Sequence, residues 1–193
     1  MEAAVAHTGR PGRPRRSDVD DRLREATLRL VRDGGPSAVT VEAVAAASGV
    51  AKTTIYRRHA NRDALLRSAM AAAVSAPADL SGLPARERLR AALDQTWRHV
   101  DEVLGRGGLA ALVAGTDPEF TRLVRAVMEP YLDELAELVE RDRDSGLLRP
   151  DLDADAAVTV FVGAHLGHLV RYGEVDDAWI VRTLDLLWAP MTA

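Results

Sequence analysis

Segment 51–59 carries a dense run of hydrogen-bond donors around one aliphatic residue. Donors of this kind contact DNA, because its phosphates and base edges present acceptor atoms. Ile55 is apolar among polar neighbours, so we expect it to face a hydrophobic core and leave the other side chains outside. The candidate DNA contacts are Lys52, Thr53, Thr54, Tyr56, Arg57 and Arg58.

Two short helices are needed to present this segment. Thr40 is a suitable N-cap for a first helix that ends near Ser48, because its hydroxyl can accept a backbone hydrogen bond. Gly49 allows a turn conformation that a side chain would strain. Two short helices joined by such a turn are typical of the helix-turn-helix, whose second helix enters the major groove of DNA. A helical hairpin without a DNA partner is the alternative interpretation.

The charge distribution favours DNA as the partner of the N-terminal part. Residues 1–62 hold 12 Lys and Arg against 7 Asp and Glu, whereas residues 63–193 hold 13 against 22. A basic segment on an acidic body indicates that only this end meets a polyanion. The alternative is an uneven surface charge without a functional partner.

The chain offers little for catalysis or metal binding. It contains no cysteine, which excludes disulfides, thiolate nucleophiles and Cys-ligated zinc. We find no glycine-rich phosphate loop and no set of Ser, His and carboxylate residues. His165 and His168 stand three residues apart, but no carboxylate lies at a matching spacing for a metal ion. We therefore expect a protein that is not an enzyme and that binds no metal and no cofactor.

The apolar residues do not form a membrane segment. No apolar run approaches the roughly 20 residues that a membrane-spanning helix needs. No apolar stretch follows the N-terminal arginines, as it would in a secretory signal. We expect a cytoplasmic protein with no membrane partner.

Helices are predicted along the whole chain after residue 16. Only eight residues are aromatic, so the core must consist mainly of Leu, Val and Ala, which favours helices. Apolar residues recur at helical spacing, and no strand pattern is present. Gly105–Gly108 is a predicted break between helices, and Pro130 is predicted to kink or divide a helix over 118–144. The fold class is therefore all-α.

Residues 19–70 resemble the N-terminal part of the TetR/AcrR family of regulators. The glycine-valine turn, the Thr-Ile-Tyr sequence and the capped helix after it all fall at the family spacing. The residues that carry the resemblance are Leu23, Ala26, Leu30, Gly35, Thr40-Val41, Val44-Ala45, Ala47–Val50, Thr53–Tyr56 and Asn61–Leu66.

This resemblance implies the domain organisation and the activity. It implies a three-helix helix-turn-helix DNA-binding domain over 17–60 and a larger helical domain over 61–193, which binds a ligand and forms the dimer. Residues 1–16 are predicted to be a disordered basic arm. Family members are usually repressors that leave a palindromic operator in double-stranded DNA when a small molecule enters the body. A homodimer, operator DNA and an unidentified small-molecule effector are thus the implied partners.

The resemblance also assigns roles to single residues. It implies that Lys52, Thr53 and Thr54 read bases and that Tyr56 approaches the DNA backbone or a thymine methyl group. Thr40 and Arg62 stand at positions that contact phosphates in the family. The following residues depart from the family pattern: Ala51 replaces the usual Ser cap of the recognition helix, Arg58 stands where His is frequent, and His59 stands where an aromatic residue is usual.

The largest apolar groups of the central helices are candidates for a ligand cavity. Helical spacing alone makes an ordinary core the alternative for each of them, and the resemblance favours a cavity for some. The candidate ligand-binding residues are Trp97, Phe120, Met128, Tyr131, Phe161 and His165.

The last two helices are candidates for the dimer interface. Gly163 and Gly167 lie on one helix face, and each glycine within a helix costs up to about 1 kcal/mol, which indicates a packing reason. The predicted interface consists of Val160, Gly163, Gly167, Ile180, Leu184, Leu187 and Trp188.

The N-terminal arm resembles a short AT-hook around Arg13. Such an arm could place Arg13 in a narrow minor groove. The alternative is a basic tail that adds only salt-dependent attraction to phosphates. For the whole protein, the alternative functions are a DNA-binding protein without small-molecule input and an enzyme built on the helical body.

Overall fold

Nine α-helices and one short 3-10 turn make up the described part of the chain, residues 16–73 and 79–192 of a computed structural model. The predicted all-α fold, with an N-terminal helix-turn-helix and a larger helical domain, is confirmed. The helices are α1 (Arg16–Gly34), α2 (Val41–Ser48), α3 (Lys52–Arg58), α4 (Arg62–Ala71), α5 (Ala85–Val103), α6 (Gly105–Ala114), α7 (Pro118–Asp144), α8 (Ala154–Tyr172) and α9 (Asp177–Met191), and the turn is Pro36–Ala38.

Side-chain caps fix the start of several helices where the sequence predicts them. The Thr40 hydroxyl accepts a hydrogen bond from the Ala43 backbone at 3.0 Å, and Asn61 does the same for the Ala64 backbone at 2.8 Å. Each cap satisfies a backbone N–H that lacks a partner within the helix. Ala51 makes no such bond at the start of α3, as its side chain predicts.

A break between α5 and α6 does occur at Gly105, where φ is +52°, as predicted. The prediction that this break extends to Gly108 is wrong, because α6 begins at Gly105 and continues through these glycines. They serve close packing against α1 instead. A Cβ atom on Gly107 would lie 2.5 Å from the Gly35 backbone nitrogen and 2.7 Å from the Val31 carbonyl oxygen. Only a glycine allows the two backbones to approach this closely.

Pro130 lies within α7 and does not divide it, since the helix runs without interruption from Pro118 to Asp144. The ring removes one backbone hydrogen bond. Buried side chains on both sides of it, Met128 and Tyr131, hold the helix on the core. Burial of this continuous apolar face offsets the lost bond.

The DNA-binding helices and the body share one hydrophobic core. Val31 of α1 is fully buried, as is Val103 at the end of α5. The Arg32 guanidinium donates to the Glu102 carbonyl at 2.7 Å, which joins α1 to the same end of α5. The position of the helix-turn-helix is therefore set by the body.

Candidate DNA-binding surface and ligand cavity

The turn between α2 and α3 sets the orientation of the candidate recognition helix. Gly49 has a φ of +67°, in the left-handed region that favours glycine. Val50 and Ile55 are buried on the inner side, as the sequence predicts for Ile55. The Arg22 guanidinium donates from its Nε atom to the Ser48 carbonyl at 3.0 Å and so holds the end of α2 against α1.

The outer face of α3 presents a polar surface to solvent. Lys52, Thr53, Tyr56 and Arg57 are exposed, and Thr54 is half-buried. Tyr56 is the large aromatic group of this surface, with 54% of its area exposed. The structure thus brings together five of the six side chains that the sequence predicts as DNA contacts on α3.

A carboxylate from α2 lies beside this surface. The Lys52 ammonium group contacts Glu42 at 2.8 Å, and this hydrogen bond lowers the pKa of the Glu42 carboxyl group. Both side chains are more than half exposed, so the pair adds little stability and is easily exchanged for a phosphate. Lys52 remains available to DNA.

Arg58 lies apart from the exposed face of α3. Its guanidinium forms an ion pair with Asp20 of α1, and its side chain is only 20% exposed. The sequence places Arg58 with the other donors because it follows them directly, whereas the turn of the helix directs it to α1. His59 is half-buried beyond it, and this burial lowers its pKa.

The two predicted phosphate contacts outside α3 have different surroundings. Thr40 is exposed at the N-terminus of α2, where its hydroxyl caps the helix. Arg62 is directed into the protein and donates to the Pro36 carbonyl at 2.7 Å and the Val39 carbonyl at 3.1 Å. Arg13 lies outside the described residues.

The body contains an apolar cavity of about 370 Å³ between α5, α6, α7 and α8. Trp97 and Met128 line it, which brings together two of the predicted ligand-binding residues. The other residues that line it are Thr96, Val100, Leu104, Leu109, Leu112, Val124, Arg125, Glu129, Leu132, Asp133, Val162 and Leu166.

The other four predicted ligand-binding residues are not among those that line this cavity. Phe120 and Tyr131 are buried in the core, where spacing alone cannot separate core from cavity lining. Phe161 lies in a different groove, beside Leu187 of α9. His165 lies behind Trp97, with the two rings stacked at a centroid distance of 3.7 Å.

His165 is a buried base in an aromatic environment. Only 1% of its area is exposed, and neither ring nitrogen has a hydrogen-bond partner. Burial, with a smaller contribution from the neighbouring His168, lowers its pKa to about 4. The ring is therefore neutral at physiological pH and supports Trp97 from behind.

Glu129 and Asp133, two charged residues that lie beside Arg125 at the cavity mouth, are not predicted from the sequence. Arg125, Glu129 and Asp133 are exposed on one face of α7, each one turn after the last. The spacing is visible in the sequence, but charged residues one turn apart are typical of any solvated helix face. Their position becomes informative only once Met128 is known to line a cavity.

One face of α8 is exposed and carries small and apolar residues. Val160 is 51% exposed, and a Cβ added to Gly163 or Gly167 would meet no atom within 4 Å. Leu187 and Trp188 of α9 are half-buried. Ile180 and Leu184, which the sequence assigns to the same interface, are buried in the core of the protomer because they lie on the inner face of α9.

Two other features, a membrane-spanning helix and a metal-binding group, were sought among the described residues. No helix there is long and apolar enough to cross a membrane. Among the same residues, no group of three or more His, Asp or Glu side chains is arranged to hold a metal ion.

A capped helix-turn-helix with an exposed polar recognition helix defines a DNA-binding protein, and comparison with known families agrees. The family of bacterial regulatory proteins of the tetR type matches residues 23–69, and the C-terminal domain of tetracyclin repressor-like proteins matches residues 83–187. The chain belongs to the TetR family and is a DNA-binding transcriptional regulator. No curated protein matches it significantly in sequence.

Solved structures share the fold at low sequence identity. A TetR-family regulator from Rhodococcus superposes with a TM-score of 0.70 at 18% identity, over 91% of this chain and all of the other. A regulator from Saccharomonospora viridis in complex with choline gives 0.68 at 19%, over 92% of this chain and all of the other. AibR in complex with isovaleryl coenzyme A and operator DNA gives 0.65 at 21%, over 90% and 99%.

Proposed function

We propose that this regulator is a repressor that leaves its operator when a small molecule occupies the cavity of the body. The observation that carries this proposal is the apolar cavity of about 370 Å³, which falls in the usual size range of small-molecule sites. A DNA-binding protein without small-molecule input would need no such space. A catalytic role has no support in the residues that line it, and we propose that the protein is not an enzyme.

In this proposal each domain has its own role: residues 17–60 bind DNA, and residues 61–193 bind the ligand and form the dimer. Thr40, Lys52, Thr53, Thr54, Tyr56 and Arg57 are the proposed DNA contacts. Exposure of the side chains on α3 and of Thr40 supports this assignment. We place its action in the cytoplasm, where the operator lies.

A homodimer with a palindromic operator is part of the proposal. The exposed face of α8, with Val160, Gly163 and Gly167, has room for a partner helix, because the glycines leave their surface open. A twofold dimer would present two copies of α3 to half-sites about 34–36 Å apart, one turn of B-DNA or a related spacing. Such a dimer reads the same sequence twice, in opposite directions.

The ligand of the cavity is an amphipathic small molecule in this proposal. The lining is mostly aliphatic with one aromatic group, Trp97, and the charged residues lie at the mouth. An apolar portion would fill the interior while a polar end meets Arg125, Glu129 or Asp133. Choline and isovaleryl coenzyme A, which are bound in two similar structures, are suitable first probes.

The test begins with selection of bound sites from random duplex DNA, followed by measurement of operator affinity with each compound of a small-molecule library. We expect one palindromic site and at least one compound that weakens binding to it. The variant Val162→Trp should fill the cavity and abolish the response while operator binding persists. Val113→Trp, on an exposed position of α6, is the matched control and should respond as the parent does.

Two outcomes would contradict the proposal. Binding without sequence preference would contradict a specific regulator. A specific operator with no responding compound, or a response that survives in Val162→Trp, would contradict the assignment of the cavity as the effector site.

A further inference from the structure

We infer that Arg62 is a positioning residue that holds the DNA-binding helices in a fixed orientation on the body, and that it is not a phosphate contact. This inference rests on the proposed function, in which the unliganded protein is the form that binds DNA. Arg62 is the first residue of α4, the helix that connects the two domains. Its guanidinium lies where the turn before α2 meets the start of α7.

Four hydrogen bonds hold this guanidinium. Two go to backbone carbonyls of the DNA-binding domain, from Nη2 to Pro36 and from Nε to Val39. A third joins Nη2 to the Oδ2 atom of Asp117 at 3.0 Å, and a fourth joins Nη1 to Asp63 at 3.0 Å. The planar fork of an arginine suits several acceptors at once, and a lysine offers a single point charge.

Asp117 connects Arg62 to the helix that lines the cavity. Its Oδ1 atom accepts a hydrogen bond from the Phe120 backbone at 3.0 Å and caps α7, while Oδ2 receives Arg62. The Phe120 bond is the main reason that the pKa of Asp117 is lowered, and Arg62 contributes to it. A shift of α7 on ligand binding would move Asp117 and, with it, the acceptor that orients Arg62.

The position of Arg62 also argues against contact with DNA. Its side chain is 31% exposed, whereas Tyr56 on the outer face of α3 is 54% exposed. A phosphate would compete with bonds already made to Pro36, Val39 and Asp117. Arg62 and Asp117 together connect the turn before α2 to the start of α7, and so join the DNA-binding domain to the body.

The decisive variant is Arg62→Lys, because a phosphate contact tolerates lysine and a multi-acceptor contact does not. We expect Arg62→Lys, Arg62→Gln and Asp117→Asn each to weaken binding to the selected operator by about tenfold, within the usual range of coupling between sites. Asn still caps a helix, so Asp117→Asn removes the charged partner without removing the cap. The double variant Arg62→Gln, Asp117→Asn should bind no more weakly than either single variant.

Salt dependence separates the two roles of Arg62. Loss of one phosphate contact reduces the slope of log affinity against log salt by about 0.9. We expect that reduction in Arg57→Gln, on the exposed face of α3, and an unchanged slope in the Arg62 and Asp117 variants. Arg122→Gln removes an exposed arginine of α7 that forms an ion pair with Glu119 of the same helix, and it should behave as the parent.

A distance measurement tests the same inference without DNA. The chain contains no cysteine, so spin labels can be attached to Ala47→Cys in α2 and Ala126→Cys in α7, both exposed positions. Arg62→Lys and Asp117→Asn should broaden the distribution of distances between the labels. Circular dichroism at the assay temperature confirms that each variant is folded.

The inference is overturned if Arg62→Lys binds the operator as the parent does, or if Arg62→Gln reduces the salt slope by about one while Asp117→Asn has no effect. It is also overturned if the distance distribution is unchanged in all variants. A parent protein that binds no specific site would contradict the proposed function instead, and the distance measurement would still decide the role of Arg62.

Discussion

Ile55 and Tyr56 are adjacent on α3, but Ile55 is buried in the core and Tyr56 is a proposed DNA contact. Single substitutions should therefore affect stability at one position and operator binding at the other. Tyr56→Ala removes a half-exposed ring and should change the free energy of unfolding by less than about 0.5 kcal/mol. It should nevertheless weaken operator binding by about 1 kcal/mol or more. Ile55→Ala removes a fully buried side chain and should cost about 2–5 kcal/mol of stability.

Urea unfolding and operator titration of both variants check this prediction. Ala47→Val, on an exposed position of α2, is a control for either measurement. If Tyr56→Ala bound the operator as tightly as the parent, the exposed face of α3 would not be the recognition surface.

His165 should make the stability of the protein depend on pH. Its folded pKa of about 4 lies below the ordinary value of 6.5, so the unfolded chain binds the proton first. The contribution of the neutral ring is present above about pH 6.5 and is lost as the pH falls toward 4, by about 3 kcal/mol in total. Protonation would place a charge between Trp97 and Trp179 without a hydrogen-bond acceptor.

The measurement is urea unfolding at pH 7 and at pH 4.5 for the parent and for His165→Phe, which keeps an aromatic ring against Trp97. We expect the parent to lose more stability than the variant over this interval. An equal loss in both proteins would show that other groups cause the acid sensitivity.

At the scale of elements, the contact between α1 and α6 depends on a glycine. Gly107→Ala would place a methyl group 2.7 Å from the Val31 carbonyl oxygen of α1 and 2.5 Å from the Gly35 nitrogen just after it, and backbone cannot rotate away as a side chain can. We expect a loss of about 1–3 kcal/mol of stability. Gly82→Ala, where an added Cβ meets no atom within 4 Å, is the matched control in thermal unfolding. A Gly107→Ala protein as stable as this control would mean that the two helices can separate at little cost.

At the scale of the whole molecule, the exposed face of α8 should decide the oligomeric state. Val160→Glu places a charge on the proposed interface, and we expect sedimentation to change from dimer to monomer. Operator affinity should fall with it, because two half-sites would no longer be held by one particle. Val113→Glu, on an exposed position of α6, should remain dimeric. A dimer that persists in Val160→Glu would place the interface elsewhere.

The sequence predicts what depends on near neighbours in the chain. Thr40, Gly49 and Ile55 act through residues within a few positions, so their spacing is sufficient to assign a cap, a turn and a buried anchor. The ion pairs of Arg58 and Arg62 could not be predicted from the sequence, because their partners, Asp20 and Asp117, lie 38 and 55 residues away. Family resemblance cannot supply those partners, since it concerns only residues that share a motif.

The same reasoning applies to the body. Glycines in succession usually end a helix, and the sequence alone does not show that Gly107 lies within α6, packed against the backbone at the end of α1. Aromatic residues at helical spacing can face a core or a cavity, and only the packing of α5 to α8 separates Trp97 from Phe120.

The close approach of Gly107 to Gly35 has a consequence for the design of chimeric regulators. Exchanging the first three helices between relatives assumes that the DNA-reading half is a portable module. Here that half ends in a surface shaped to one particular α6, and Val31 would be left against a foreign helix. A hybrid that keeps this regulator's operator should therefore include its α6 together with α1 to α4. Otherwise the contact between α1 and α6 will be poorly packed.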